Sequence, residues 1–277
     1  MDSMSMQRWQ GKVAVVTGAS SGIGHAVAEE LALAGMEVAG VARRTPTLQA
    51  IKTGLGAAGE RFHPFPADLR KTNEIPALFH RIRQELGGIH VLVNNAGLGH
   101  DAPLLSGESD LWREMLEVNV LALCACTREA ITAMQDPGAA QRNEKSQIEP
   151  PSKGTEASDS QPGGYVIHIS SMSGHRVPPS GGVYAATKHA VMALTEALRL
   201  ELRAAGSSVR VSAISPGFVE TEFAEKLHQS KKKAEEVYSR YPCLQPADMA
   251  RAVMFLLSQP PHVQYHDLLV RPTQQPR

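Results

Sequence analysis

The sequence of 277 residues predicts an α/β fold, in which a single doubly wound domain contains a parallel sheet of about seven strands with helices on both faces. Three observations predict this fold. Short apolar runs alternate with longer stretches of helical periodicity along most of the chain. The apolar runs lack a polar–apolar alternation, which is typical of parallel strands covered on both faces. A glycine-rich turn joins the first apolar run to the first helical stretch.

Seven apolar runs are assigned as strands. They are short, most are rich in branched aliphatic residues, and turn-forming residues bound them. The predicted strands are residues 12–17, 37–42, 62–67, 89–94, 165–170, 209–214 and 267–270.

Between the strands, apolar residues recur at three- and four-residue spacings, which predicts amphipathic helices. Gly35 ends the first helix, Pro76 falls in the first turn of the second, and Ser109 is a candidate N-cap of the third. No helix is assigned between the second and third strands. The predicted helices are residues 25–34, 72–86, 110–135, 183–204, 222–240 and 247–257.

The composition argues against several classes of protein: those that bind nucleic acid, those that bind metal through cysteines and those that span a membrane. With 28 basic and 28 acidic residues the formal charge is zero, so no nucleic acid or anionic membrane partner is indicated. The three cysteines have no metal-site spacing, so no metal is expected and a reducing compartment is favoured. No run of about 18 apolar residues and no apolar signal core is present, so no membrane span is expected and a cytoplasmic location is predicted.

Residues 136–164 break the alternation, because they are polar and rich in Pro, Gly, Ser and Gln. Such a segment cannot bury enough apolar surface to offset the entropy of ordering, so a disordered surface insertion is predicted. It connects a helix to a strand, which places it at the amino ends of the strands, opposite the edge where ligands bind. Its composition is consistent with two alternatives: a segment that binds a partner, and an insertion without a function that the fold tolerates.

The turn TGASSGIG, residues 17–24, has the strand–turn–helix context of a dinucleotide site. Gly18 permits a sharp turn, Gly22 lets backbone approach a pyrophosphate, and Gly24 permits close helix packing. The amides and dipole at the helix start favour the anion. The predicted cofactor contacts in this turn are Gly18, Ser20, Ser21, Gly22, Ile23 and Gly24.

The end of the second strand indicates which dinucleotide binds. An acidic residue there would favour NAD by bonding its free ribose 2′-hydroxyl, but Arg43 and Arg44 occupy the position. Guanidinium groups match phosphate geometry, so NADP(H) is predicted, with a solvated surface charge as the alternative for either arginine. Asp68 and Leu69 follow the third strand, where Asp68 is predicted to bond the adenine amino group or to cap a turn.

Two further loops leave the same predicted sheet edge, with the sequences NNAG and SPGFVET. Their small and proline residues let the backbone run along a cofactor, and Thr221 is placed to bond a carboxamide. The predicted cofactor contacts in these loops are Asn95, Ala96, Gly97, Pro216, Gly217, Val219 and Thr221.

A tyrosine, a lysine and a serine predict the chemistry. Tyr184 and Lys188 are four residues apart on a predicted helix, so they share one helix face. A free tyrosine has a pKa of about 10, and an adjacent cation favours the phenolate, so the pair predicts a tunable general acid–base. Ser171, at the end of the fifth strand, is predicted to hydrogen-bond a substrate carbonyl oxygen and stabilise developing charge.

The motifs TGASSGIG, NNAG, HISSMSG, YAATK and SPGFVET, with Asn119 in EVNV, resemble the short-chain dehydrogenase/reductase family in type and order, over about residues 10 to 271. The resemblance implies one NAD(P)-binding Rossmann domain over residues 1–277. It also implies that Tyr184 and Lys188 contact the cofactor and that Asn119 holds a proton-relay water; the alternative for Asn119 is a buried residue satisfying a helix kink. Homodimers or homotetramers through helices 110–135 and 183–204 are implied as well.

Together these observations predict an NADP-dependent oxidoreductase that interconverts a carbonyl compound and an alcohol. The lid segment, residues 222–240, has an apolar side (Phe223, Leu227, Val237) that indicates hydrophobic substrates: steroids, isoprenoids or retinoids, or small dicarbonyls. The alternative is a dinucleotide-binding scaffold without turnover, whose partner would be another protein.

Overall fold

The computed structural model describes residues 6–135, 163–178 and 181–276. Its centre is a seven-stranded sheet of order β3-β2-β1-β4-β5-β6-β7, in which all paired strands are parallel. The predicted α/β class and the predicted number of strands are therefore confirmed. The insertion predicted at residues 136–164 lies outside the described residues, apart from its last two glycines.

The elements follow one another as strand and helix through most of the chain. In the first half they are β1 (Val13–Thr17), α1 (Gly22–Leu33), β2 (Glu37–Ala42), α2 (Thr45–Gly54), β3 (Phe62–Pro66), α3 (Ile75–Leu86), β4 (Val91–Asn94), α4 (Ser109–Leu116), a π-helical segment (Glu117–Ala122) and α5 (Leu123–Met134). In the second half they are β5 (Tyr165–Ile169), α6 (Gly182–Ala204), β6 (Arg210–Pro216), α7 (Phe223–His228), α8 (Lys231–Tyr238), α9 (Pro246–Ser258) and β7 (Asp267–Val270).

Both faces of the sheet are buried, and alternate residues of each strand serve different cores. On β1, Ala14 and Val16 pack with residues of α1 and α9, whereas Val13 and Val15 pack with residues of α3, α5 and α6. All four side chains are fully buried. This double coverage explains why the strands are uniformly apolar.

Helix α2 was not predicted from the sequence. It begins with Thr45, Pro46 and Thr47, and because these residues have low helix propensity, the sequence pattern did not indicate the start of a helix. Proline is tolerated in a first turn because the amide it lacks would have no helical partner there. Leu48 and Ile51, three residues apart, are buried, so tertiary packing stabilises the helix.

Three of the predicted helices are interrupted or shortened in the structure. The helix predicted at 110–135 contains the π-helical segment and starts at Ser109, with Glu108 rather than Ser109 as its N-cap. The lid segment is two helices, because Gln229 between them has a φ of 49° and ends α7. The helix predicted at 72–86 is α-helical only from Ile75, after a 3₁₀ turn.

Within the described residues, no helix is long and apolar enough to cross a membrane. The same part of the chain contains no group of three or more His, Cys, Asp or Glu side chains suited to holding a metal ion.

Candidate active site

A cavity of about 620 Å³ lies at the carboxyl ends of the parallel strands. It is lined by the segments that follow all seven strands, by α6 and by the lid segment. Of the predicted site residues, only Gly24 and Asn119 do not line it. Those that do are Gly18, Ser20, Ser21, Gly22, Ile23, Arg43, Arg44, Asp68, Leu69, Asn95, Ala96, Gly97, Ser171, Tyr184, Lys188, Pro216, Gly217, Val219 and Thr221.

The glycine turn is braced by the neighbouring loop. The Thr17 hydroxyl accepts hydrogen bonds from the amides of Asn95 and Ala96, both at 3.0 Å. The Asn95 side-chain amide in turn donates to the Thr17 carbonyl at 2.9 Å. Gly18 adopts a φ of 69°, a left-handed conformation that favours glycine. Sequence reasoning assigned no role to Thr17, although this residue opens the motif.

Gly24 lies beneath the turn rather than in the cavity. A Cβ on this residue would lie 2.4 Å from the Gly18 carbonyl oxygen and 2.3 Å from the Asn95 side-chain nitrogen. Its missing side chain therefore lets α1 approach the turn closely. The start of α1 faces the cavity through Ser21 and Gly22, with no side-chain cap on its first amides, so those amides are available to an anion.

Arg44 reaches across the cleft. Its guanidinium donates to the Ser20 hydroxyl at 3.2 Å and to the Glu222 carboxylate at 3.4 Å, which joins the glycine turn to the lid segment. Arg43 also lines the cavity. Its positive charge is one of the influences that lower the pKa of Asp68.

Asp68 is fixed by a neighbour. Arg70 donates to both of its carboxylate oxygens, with Nη2 to Oδ2 at 2.6 Å, and this hydrogen bonding is the main cause that lowers the pKa of Asp68. The third guanidinium nitrogen of Arg70, Nη1, donates to Glu114 at 3.2 Å, and Glu114 lies 2.8 Å from His100 Nε2. The Asp68 carboxylate remains on the cavity wall in a set orientation.

Tyr184 and Lys188 are held at the bottom of the cavity by the first turns of α6. The ammonium group of Lys188, which is only 5% exposed, donates to the Ile169 carbonyl at 2.8 Å and lies 5.9 Å from the centre of the Tyr184 ring. Phe223 of the lid segment packs on the Tyr184 ring, with the ring centroids 5.5 Å apart. The hydroxyl of Ser171, the second residue after β5, accepts a hydrogen bond from the Ser173 amide at 3.1 Å.

The titration of this group differs from the sequence expectation. We expected Lys188 to lower the pKa of Tyr184. Burial instead raises the pKa of Tyr184 to about 12, and a hydrogen bond with Ser171 opposes this rise. Burial also lowers the pKa of Lys188 to about 8, so the proton affinities of the two groups move apart. The helix spacing predicted proximity correctly but could not reveal the desolvation of both groups.

Asn119 lies behind the cavity in the π-helical segment. Its side chain accepts the Leu98 amide at 2.9 Å and donates to the Leu98 carbonyl at 2.8 Å. It also donates to the Thr187 hydroxyl at 3.0 Å, which connects it to α6 one residue before Lys188. A π-helical turn places a side chain where a regular helix would not, and such turns are frequent at functional sites. Asn119 therefore joins the NNAG loop to α6.

Other residues outside the predicted catalytic and cofactor sets also reach the cavity. Gln275, near the end of the chain, accepts the Phe218 amide at 3.0 Å and lines the cavity beside the SPGFVET loop. No motif marks it, because the contact depends on where the tail folds back. Arg176 and Arg240 also line the cavity. His175 does not; it lies 3.0 Å from the Ser215 hydroxyl and 2.9 Å from the Asp267 carboxylate.

The sequence of the chain matches that of a known family. The family model described as short chain dehydrogenase matches residues 12–232. The chain belongs to the short-chain dehydrogenase family and is an oxidoreductase with the Rossmann-type fold of that family.

Individual relatives are similar over nearly the full length. Dehydrogenase/reductase SDR family member 11 of Bos taurus is 43% identical over 275 residues, which cover 98% of this chain and 99% of the relative. Farnesol dehydrogenase of Aedes aegypti is 38% identical over 271 residues, covering 96% and 98%. Among solved structures, the closed form of serine dehydrogenase complexed with NADP⁺ is 29% identical with a TM-score of 0.80, and 96% of each chain is covered.

Proposed function

We propose that this protein is an NADP-dependent oxidoreductase that interconverts a ketone or aldehyde and an alcohol. One observation carries the proposal: Tyr184, Lys188 and Ser171 line the same cavity as the glycine turn. A dinucleotide bound on that turn would therefore extend toward a proton donor. The proposal includes a single cofactor-binding domain over residues 1–277.

The residues present fit NADP(H). Arg43 and Arg44 line the cavity after β2, where they are placed to hold a ribose 2′-phosphate, and the start of α1 suits the pyrophosphate. Asp68 and Leu69 would border the adenine. The serine dehydrogenase that shares this fold is complexed with NADP⁺.

When bound, the cofactor supplies a hydride to the carbonyl carbon, or accepts one in the reverse reaction. Tyr184 donates a proton to the carbonyl oxygen, and its pKa of about 12 keeps the phenol protonated until charge develops on that oxygen. Ser171 hydrogen-bonds the same oxygen and stabilises its charge. Lys188 binds the nicotinamide ribose hydroxyls. Asn119 fixes the backbone of Leu98 and would thereby position a water that relays protons.

The substrate side of the cavity supports a hydrophobic substrate. Phe223, Leu227 and Val237 of the lid segment line it, as the sequence indicated. The resemblance to farnesol dehydrogenase favours an isoprenoid alcohol or aldehyde among the candidates, which also include steroid or retinoid carbonyls and small dicarbonyls.

Self-association is part of the proposal. Leu116 and Leu121, beside and within the π-helical segment, and Leu200 of α6 are exposed large apolar side chains. They suit a homodimer or homotetramer through these helices, as expected for the family. The predicted cytoplasmic location stays a prediction.

The proposal is tested by measuring consumption of NADPH and of NADH over a panel of isoprenoid aldehydes, steroid ketones and small dicarbonyls. We expect turnover with NADPH to exceed turnover with NADH. Replacing Arg44 by Ala is expected to raise the KM for NADPH about tenfold, because a hydrogen bond to a charged group is lost, and to leave the KM for NADH nearly unchanged. Steady-state kinetics with each cofactor measure both effects.

Arg251→Ala is the matched control, since Arg251 is exposed, pairs with Asp248 and does not line the cavity. Equal KM changes for NADPH and NADH in the Arg44 variant would contradict the assignment of the 2′-phosphate site. Binding of NADPH without turnover of any carbonyl would instead favour the scaffold alternative.

The lowered pKa of Lys188 predicts a pH dependence. Its protonated form binds the ribose and stabilises the phenolate, and this form is lost as the pH rises through about 8. We therefore expect kcat/KM for carbonyl reduction to be level below that pH and to fall about tenfold per pH unit above it.

The comparison variant is Lys188→Arg, because a guanidinium stays charged over the whole range. Its residual activity is expected to lack this alkaline decline. If the two pH profiles decline in parallel, the decline does not come from Lys188.

A further inference from the structure

The cavity has a basic feature that hydride transfer does not use. Arg176, in the loop after Ser171, and Arg240, just after α8, both line it. They come from two separate parts of the chain, on the side where the lid segment covers the cavity. Neither arginine belongs to the proposed 2′-phosphate site after β2.

The charges of the two arginines both act on one neighbouring residue. The phenol of Tyr241 has a pKa raised by burial, and the positive charges of Arg240 and Arg176 both oppose that rise. Tyr241 in turn packs on Phe218 of the SPGFVET loop, with ring centroids 6.2 Å apart. Both arginines therefore line the same cavity as that loop and act electrostatically on the tyrosine that packs against it.

In the described part of the chain, neither Arg176 nor Arg240 forms an ion pair. The carboxylates on the cavity wall do not pair with Arg176 or Arg240. Asp68 pairs with Arg70, and Glu222 pairs with Arg44 and Lys226. Asp101 pairs with neither of the two arginines. Glu220, which is near Cys243, accepts a hydrogen bond from Gln245 and does not line the cavity. The positive charge at this place is thus not neutralised by these carboxylates.

A third polar group lines the cavity without a partner. The Nδ1 atom of His228, at the end of α7, is buried and has no hydrogen-bond partner among the described residues. A buried polar atom of this kind is costly unless a ligand satisfies it. The apolar residues Phe223 and Leu227 stand on the same helix.

Building on the proposed function, we propose that the preferred substrate is an apolar carbonyl compound that carries a carboxylate away from its reacting carbon. The carbonyl end meets Tyr184 and Ser171, the apolar body packs against the lid segment, and the carboxylate binds Arg176 and Arg240. Guanidinium groups are suited to this role because they form paired hydrogen bonds with the two oxygens of a carboxylate.

The test compares oxo fatty acids of graded chain length with their methyl esters in NADPH-dependent reduction. For the best-fitting length, wild-type kcat/KM is expected to be at least about tenfold higher for the acid, as one hydrogen bond to a charged group would give. In the double variant Arg176→Gln/Arg240→Gln this preference is expected to disappear, while the rate with the ester stays within about twofold. The Arg176→Lys/Arg240→Lys variant keeps the charge and should keep part of the preference.

Arg113→Gln is the control for altered surface charge, because Arg113 is exposed and outside the cavity. Equal rates for acid and ester at every length in the wild type, or a preference that survives the double Gln variant, would overturn the anion site and leave the proposed function standing. If neither compound is reduced, the proposed function fails. The anion site is then judged by calorimetry with NADP⁺-saturated protein, where equal affinities for acid and ester would overturn it.

Discussion

Replacing Tyr184 by Phe is expected to reduce carbonyl reduction by about 10²- to 10⁴-fold, the contribution typical of a positioned general acid. The variant loses one hydroxyl group and keeps the ring that packs on Phe223. Lys188 would still donate to the Ile169 carbonyl, because that contact does not involve the phenol. The loss should therefore fall on kcat.

Single-turnover kinetics measure the loss in the chemical step, and fluorescence titration with NADPH measures cofactor binding separately. We expect the Kd for NADPH to change by less than about threefold, because the phenol supplies at most one hydrogen bond to the ribose. Tyr265→Phe is the matched control, since Tyr265 packs on Phe255 and does not line the cavity. Undiminished turnover in the Tyr184 variant would show that another group donates the proton.

Replacing Gly24 by Ala is expected to weaken NADPH binding by more than about 100-fold and to lower the free energy of unfolding by about 1–3 kcal/mol, as overpacking does. The added Cβ would meet the Gly18 carbonyl oxygen at 2.4 Å, and this obstacle is backbone. Either α1 moves away from β1 or the glycine turn opens. Both changes displace the amides that are proposed to bind the pyrophosphate.

Denaturant unfolding and NADPH titration measure these quantities. Gly54→Ala is the control, because a Cβ at Gly54 would meet nothing within 4 Å and its φ is not positive. That substitution, at the last residue of α2, is expected to leave both quantities nearly unchanged. Unaltered NADPH affinity in the Gly24 variant would mean that the turn does not hold the cofactor.

The sequence predicted the sheet well because its strands are buried on both faces. On β1, apolar residues occupy both faces: Val13 and Val15 on one, and Ala14 and Val16 on the other. No polar position interrupts the apolar run by which the strand is recognised. Helix α2 escaped prediction because its stability comes from burying Leu48 and Ile51, which local propensity does not report. Gln229, which divides the lid segment, carries no glycine signal for its positive φ.

For the candidate site, motifs identified the residues but not their energetics. The spacing of Tyr184 and Lys188 predicted a shared helix face, and the structure brings both to one cavity. The spacing could not predict that burial dominates the pKa of Tyr184 and of Lys188, since desolvation depends on the lid segment and neighbouring loops. The contact between Gln275 and Phe218 joins positions 57 residues apart, and no local pattern encodes it.

The π-helical segment Glu117–Ala122 sets a limit on how this protein can vary in length. A π turn accommodates one residue more than an α turn, so losing any one residue there would restore a regular helix without changing its ends. Residues inside the segment would then lose the wider spacing of the π turn and follow one another in the steps of about 100° of a regular α-helix. The amide of Asn119 could no longer meet both polar groups of Leu98 and the hydroxyl of Thr187. Substitutions at exposed Leu121 are compatible with this arrangement, whereas single-residue deletions in the segment are not.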